Sequence, residues 1–228
     1  RVVQGEPRVR ILVCVGDVAR RPEVSAARNV HKPAPVVGHR SPEFTPVYKR
    51  ITEALKPVFR TTRDVYLATS SATFLMEAAL TSLVERDVLH LTNGAFSERW
   101  REIGQSLGRA SDQIAAPWGE IVDPELVRQA LRRKRYEAVT VAHNETSTGV
   151  ANPLREIARV VREESEALLL VDAVSSLAGL PLESDAWGLD FVFAGVQKGL
   201  ATPPGLTVFA FSERAEAKAE TIPHRGYY

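Results

Sequence analysis

Residues 191–211 read FVFAGVQKGLATPPGLTVFAF. Two apolar runs, 191–196 and 206–211, bracket a loop that opens on Gln197 and Lys198 and goes on through Gly199, Pro203, Pro204 and Gly205. Each run is too short for a helix, rich in Phe and Val, and bounded by Gly or Pro, the pattern of a strand. A run that is apolar at successive positions has no solvent face, so it belongs in a sheet covered on both sides. Outward from this stretch the pattern recurs at 168–171 (LLLV), 138–142 (AVTVA), 87–91 (DVLHL) and 65–68 (VYLA). Ile114 lies in a further extended piece. Helical patterns fall between them, over 45–59 (weakened near its end by Pro57), 72–83 and about 97–107. Asp123-Pro124 and Asn152-Pro153 each set an N-cap residue before a proline, which predicts helices starting there, the second running to about Ser165. Strands alternating with helices predict an α/β three-layer sandwich with a mostly parallel sheet.

The first part of the chain differs. Residues 1–44 are irregular and proline-rich, with 33–46 reading as an extended arm, and 45–228 read as one large domain. The net charge of +1 gives no electrostatic case for nucleic acid or an anionic membrane. The one strong like-charge run, Arg132, Arg133, Lys134 and Arg135, closes a predicted helix, where cations suit the dipole. A single cysteine, Cys14, excludes a disulfide scaffold and a cysteine metal site, and a reducing, cytoplasmic compartment is the expectation. No apolar run has transmembrane length. His143 has no second His or Cys at ligand spacing, so it reads as structural, and no metal is expected.

In a parallel sheet, ligands bind beyond the carboxyl ends of the strands. The residues there are unusual. After 65–68 come Ser70, Ser71, Ala72 and Thr73 at a helix start, which suits an anion such as phosphate, although Ser and Thr also serve as plain caps. After 87–91 comes Phe96, either a core residue or an aromatic plate for a flat ligand. After 138–142 comes the polar loop 143–149, HNETSTG, either a self-satisfied turn or a ligand-facing cluster. Asp172 ends an apolar strand, and a carboxylate there demands a partner. Lys198 follows the next strand and points to the same crevice; a partly desolvated lysine has a lowered pKa and reacts with carbonyls. Taken together, these are the parts needed to hold pyridoxal 5′-phosphate, with the carboxylate on the pyridine nitrogen and the lysine on the aldehyde.

At this level the chain resembles the class V aminotransferases of PLP fold type I, nearest the alanine–glyoxylate and serine–pyruvate enzymes. The resemblance runs from about Gly38 to Tyr228 and is carried by GHRSPEF, ATSSATFLMEAAL, LTNGAFSERW, HNETSTGV, LLLVDAVSSLAG and QKGLATPPGL in that order. It implies that Lys198 is the lysine that binds the cofactor and serves as general base and acid, and that Asp172 pairs with the ring nitrogen. It implies Phe96 on one ring face and Val174 on the other, Thr146 on the ring hydroxyl, and Ser71, Ala72, Thr73 and Gln197 at the phosphate. Tyr228, or less favourably Tyr227, would reach the phosphate of a neighbouring subunit in a homodimer, and His39 and Arg40 would approach the substrate entrance. The implied reaction moves an amino group from alanine or serine to a 2-oxo acid such as glyoxylate or pyruvate.

The chain also departs from the family pattern. The usual Pro-Gly-Pro turn is not recognisable in LVCVGDVARRPEV, and Ala72 stands where the phosphate loop usually has glycine. The small C-terminal domain, which supplies the arginine for the substrate carboxylate, is expected to be absent. Two alternatives therefore stay open: a phosphoserine aminotransferase, and a non-catalytic, truncated aminotransferase-like dimer protein. Cysteine desulfuration needs a late nucleophilic cysteine, which the chain lacks.

Overall fold

The computed structural model describes residues 38–223. Cys14, Tyr227, Tyr228 and the segment LVCVGDVARRPEV lie outside the described residues. The elements are α1 (Phe44–Phe59), β1 (Val65–Ala68), α2 (Ala72–Leu83), β2 (Asp87–Thr92), α3 (Ala95–Ser106), β3 (Ala110–Ala115), α4 (Pro124–Arg133), β4 (Ala138–Ala142), β5 (Asn144–Glu145), β6 (Val150–Ala151), α5 (Leu154–Glu164), β7 (Leu168–Asp172), β8 (Phe191–Gly195), β9 (Thr207–Phe211) and α6 (Glu213–Thr221). Two expectations need correction. Helix begins at Phe44, so Pro46 lies in its first turn, where a missing N–H costs nothing, and not in an extended arm. Asn152 does not cap α5; Pro153 occupies that position and no side chain caps the helix.

The main sheet has strand order β1-β9-β8-β7-β4-β2-β3. Neighbours from β8 through β3 are parallel, whereas β9 runs antiparallel to both β8 and β1. Only β9 is therefore reversed, and the carboxyl ends of the other strands open on one edge. The apolar strands serve both faces in alternation. Leu168 and Leu170 of β7 pack with Leu75, Leu80, Trp100 and Phe193 on the side of α2, α3 and α6. Leu169 and Val171 pack with Phe59, Val127, Leu131, Ile157 and Val161 on the side of α1, α4 and α5. This explains why β4 and β7 are buried at every position.

Two histidines are sealed in these layers. His90 is 0 % exposed; its Nδ1 meets Thr140 Oγ1 at 2.7 Å, and its Nε2 has no partner. A Cβ at Gly104 would stand 2.9 Å from that Nε2, so α3 approaches the ring closely at a glycine. Burial, with the Arg101 charge adding, pushes His90 down to about 3, and burial alone pushes His143 down to about 4. Both folded pKa values lie below the ordinary 6.5. Both rings therefore stay neutral in the fold and take up protons on unfolding as the pH falls below 6.5. Urea unfolding should accordingly show these two histidines destabilising the protein from pH 6.5 towards pH 4. His90→Gln, which still offers an acceptor to Thr140, should reduce that dependence by one proton; an unchanged slope would reject the assignment.

Candidate active site

The strand-end residues converge through backbone register. Ala142 of β4 pairs with Asp172 of β7, and Asp172 pairs with Phe193 of β8. Two residues beyond β8 the chain leaves the sheet at Gln197 and Lys198. The loop that follows is pinned by Ala201 N–H to the Lys198 carbonyl (2.9 Å) and Thr202 N–H to the Val196 carbonyl (3.1 Å). Gly199 sits against the turn that follows Asp172: a Cβ there would come within 2.2 Å of the Leu177 carbonyl oxygen. Glycine is the residue that permits this seam, and it fixes the base of Lys198 beside the β7 turn. Lys198 itself is exposed.

Asp172 is 4 % exposed, and one carboxylate oxygen accepts the Val174 N–H at 2.8 Å. Burial pushes its pKa up to about 7; the Val174 N–H opposes this, the Glu145 charge adds to it, and the Lys198 charge opposes it. No ion pair reaches Asp172 among the described residues, so this carboxyl is poised to meet a cationic or N–H partner brought from outside.

Across the β9 seam, α2 is capped by Ser71, whose side chain accepts the Phe74 N–H at 3.4 Å. The first N–H groups of a helix lack intrahelical partners, so Ala72 and Thr73 offer donors at its positive end. Ser70 is tied to Thr207 of β9 at 2.7 Å. A cavity of about 330 Å³ opens here, lined by Ser70, Ser71, Ala72, Gln197, Gly205 and Thr207. Gln197 thus joins the α2 N-terminus to the loop that carries Lys198.

On the other flank, α3 starts at Gly94 without a side-chain cap. Phe96, half-buried in its first turn, carries the Arg99 guanidinium 5.2 Å from its ring centroid. Thr146 is exposed in the loop after β5, and its hydroxyl is hydrogen-bonded to that of Ser175, just past half-buried Val174. The structure therefore brings Ser71, Ala72, Thr73 and Gln197 to one end of a sheet edge, with Asp172, Val174, Thr146, Phe96 and Lys198 along it. His39 and Arg40 stand exposed in the turn before α1 and make no hydrogen bond to this cluster among the described residues. Tyr228 lies outside the described residues.

Several residues under the site were not read from the sequence as part of it. Asn93 and Asn152 bond side chain to side chain (3.1 Å). Asn152 also holds the Ala142 carbonyl (2.8 Å) and the Val122 N–H (2.9 Å), which ties the ends of β2 and β4 together. Its place in this buried pair is why it is not a helix cap. Glu145 is fully buried beneath Phe96 and Thr146. In the sequence Glu145 is one polar residue among several in the loop 143–149, three positions past the end of β4, and has no local signal of its own, unlike Asp172, which ends an apolar run directly.

The donor set fits pyridoxal 5′-phosphate. A helix N-terminus with free N–H groups suits the phosphate, a buried carboxyl near neutrality suits a ring N–H, and an exposed amine stands beside it. Residues 22–226 match the family Aminotransferase class-V, and the chain belongs to that family. It is 39% identical over 194 residues to "Soluble hydrogenase, small subunit" of Synechococcus sp., covering 82% of this chain and 50% of that one. It is 38% identical over 189 residues to serine–glyoxylate aminotransferase of Methylorubrum extorquens, covering 80% of this chain and 47% of that one. The crystal structure of alanine–glyoxylate aminotransferase from Nostoc sp. superposes with a TM-score of 0.77 at 34% identity, covering 97% of this chain and 58% of that one. The chain thus spans about half the length of the curated relatives it matches. Among the described residues, no helix is long and apolar enough to cross a membrane.

Proposed function

We propose that this chain carries the cofactor-binding half of a PLP-dependent transaminase that moves an amino group from alanine or serine to a 2-oxo acid such as glyoxylate or pyruvate. The observation that carries the reading is the seam of Gly199 on Leu177. It sets an exposed lysine beside a buried, near-neutral Asp172 at adjacent strand ends, in a chain of aminotransferase family. The names of the Methylorubrum and Nostoc relatives favour glyoxylate as acceptor.

Each residue has a task. The N–H groups of Ala72 and Thr73, the Ser71 hydroxyl and the Gln197 amide hold the phosphate. Phe96 and Val174 bracket the ring and exclude water from its faces, and Thr146 donates to the ring hydroxyl. Asp172 holds a proton on the ring nitrogen. The bound cofactor supplies an electron sink for the carbon that loses its proton. Lys198 would take that proton from the substrate α-carbon as base and then give it back as acid. Tyr228 from a second copy completes the phosphate site, so the working unit is a homodimer, and His39 and Arg40 flank the entrance.

The test is spectroscopic. The purified chain is titrated with pyridoxal phosphate, then with L-alanine, L-serine and L-phosphoserine in turn. The expected result is a visible band that Lys198→Ala abolishes and that alanine or serine bleaches with release of the matching 2-oxo acid. Conversion by phosphoserine alone would transfer the reading to a phosphoserine enzyme. A band that no amino acid bleaches would leave a cofactor-binding protein without transaminase activity, and the absence of any Lys198-dependent band would overturn the assignment.

A further inference from the structure

The N-terminus of α3 is capped from a distance. Gly94 contributes no side chain, and the acceptors come instead from Glu145 at the end of β5 and from Ser147 in the turn that follows it. Glu145 is 0 % exposed, and one of its oxygens accepts from the Ser97 N–H and the Ser97 hydroxyl, both at 2.9 Å. Its other oxygen accepts from the Ser147 N–H at 3.1 Å, the Ser147 hydroxyl at 2.8 Å and the Phe96 N–H at 3.4 Å. Ser147 in turn accepts the Ala95 N–H at 3.0 Å. A Cβ at Gly94 would fall 2.5 Å from both Glu145 Cγ and Ser147 Oγ, so the loop seats in the space a side chain there would fill.

A buried carboxylate needs such donors, and a helix N-terminus is where a negative charge is favoured. The donors outweigh burial: burial pushes Glu145 up, yet the Ser97 and Ser147 N–H and hydroxyl groups hold it below the ordinary carboxylate range. It is therefore ionised at neutral pH. The two residues it bonds along the helix are Phe96 and Ser97, and Thr146 is its chain neighbour. One carboxylate thus fixes both the aromatic plate and the hydroxyl that flank the ring site. Nothing else among the described hydrogen bonds ties this loop to the start of α3 apart from Ser147.

We propose that Glu145 is a positioning residue for the cofactor ring, a latch that sets Phe96 and Thr146 against Asp172. This rests on the reading of the site as a pyridoxal phosphate site. Glu145→Gln is the informative change, because the amide keeps the volume but turns one acceptor into a donor facing N–H and O–H donors. Ser147→Ala removes two bonds of the same latch and covers the case in which Glu145→Gln does not fold. Asp123→Ala, which removes the side-chain cap of α4 and no bond of the latch, reports what a loss of stability alone does.

The readouts are the dissociation constant for pyridoxal phosphate and the visible circular dichroism of the bound cofactor, which reports ring orientation. Glu145→Gln is expected to weaken binding about tenfold and to change the sign or amplitude of the dichroic band. Ser147→Ala should do so to a lesser degree, and Asp123→Ala should leave both readouts unchanged. Wild-type affinity and dichroism in Glu145→Gln and Ser147→Ala would overturn the latch while leaving the cofactor reading intact. A matching loss in Asp123→Ala would reduce the effect to stability and also overturn it. A wild-type chain that forms no Lys198-dependent band removes the premise and overturns both.

Discussion

Lys198→Ala is expected to lower the rate of amino-group transfer by about 10⁴-fold, the scale on which a positioned proton-transfer group acts. The same change should leave unfolding stability within about 0.5 kcal/mol of wild type, as for an exposed side chain away from packing. The separation follows from the geometry. The Lys198 side chain is exposed and enters no ion pair among those described, and the loop keeps its form through main-chain bonds at Lys198 and Val196 and through the close seat of Gly199. The variant therefore removes an amine and little else. Lys198→Arg should not restore activity, because a guanidinium stays protonated and accepts no proton. A small primary amine added to Lys198→Ala should restore a fraction of the rate. A variant that keeps more than about a tenth of the wild-type rate would remove Lys198 from its role as the proton carrier.

The features legible in the sequence share one property: they are local. Apolar runs such as 168–171 and 191–195 announce strands buried on both faces, and a charged residue at the end of such a run, Asp172 or Lys198, stands out against it. The reversed direction of β9 was not legible, because side-chain periodicity is the same for a strand read in either sense. The Asn93–Asn152 pair and the Glu145 latch were not legible either. Their partners lie 59 and 48 residues apart, and in a polar loop an Asn or a Glu carries the same local signature as an ordinary turn residue. Asn152 shows how a local rule fails. Asn before Pro is a sound cap signal, but three buried groups compete for the same amide and win it.

Asp172→Asn is expected to stabilise the cofactor-free protein at pH 8 while lowering amino-group transfer by about 10³-fold, a loss on the scale of a preorganised electrostatic contact. The folded Asp172 has its pKa pushed up to about 7, against an ordinary 3.8. A raised folded value means that the fold favours the protonated acid. That contribution to stability is complete below pH 3.8 and is lost as the pH rises through 7. At pH 8 the carboxylate is ionised in both states and its burial is only partly compensated by the Val174 N–H and the Lys198 charge, at a net cost of about 4 kcal/mol, since each tenfold change in proton affinity is worth about 1.4 kcal/mol. Asparagine keeps the acceptor for the Val174 N–H without the charge and should recover most of that cost. The gain should shrink as the pH falls and vanish near pH 4. Between pH 6.5 and 5, the proton that folded Asp172 holds offsets one of the two that His90 and His143 take up on unfolding, so the variant should show the steeper acid dependence. Urea unfolding of wild type and variant across pH 4–8, without cofactor, measures all of this. Equal stability at pH 8 would mean that the carboxylate finds a partner within the chain, and the case for Asp172 as a group strained to await a ring nitrogen would fall. The opposite signs expected for stability and activity are the mark of a residue kept for chemistry at the expense of the fold.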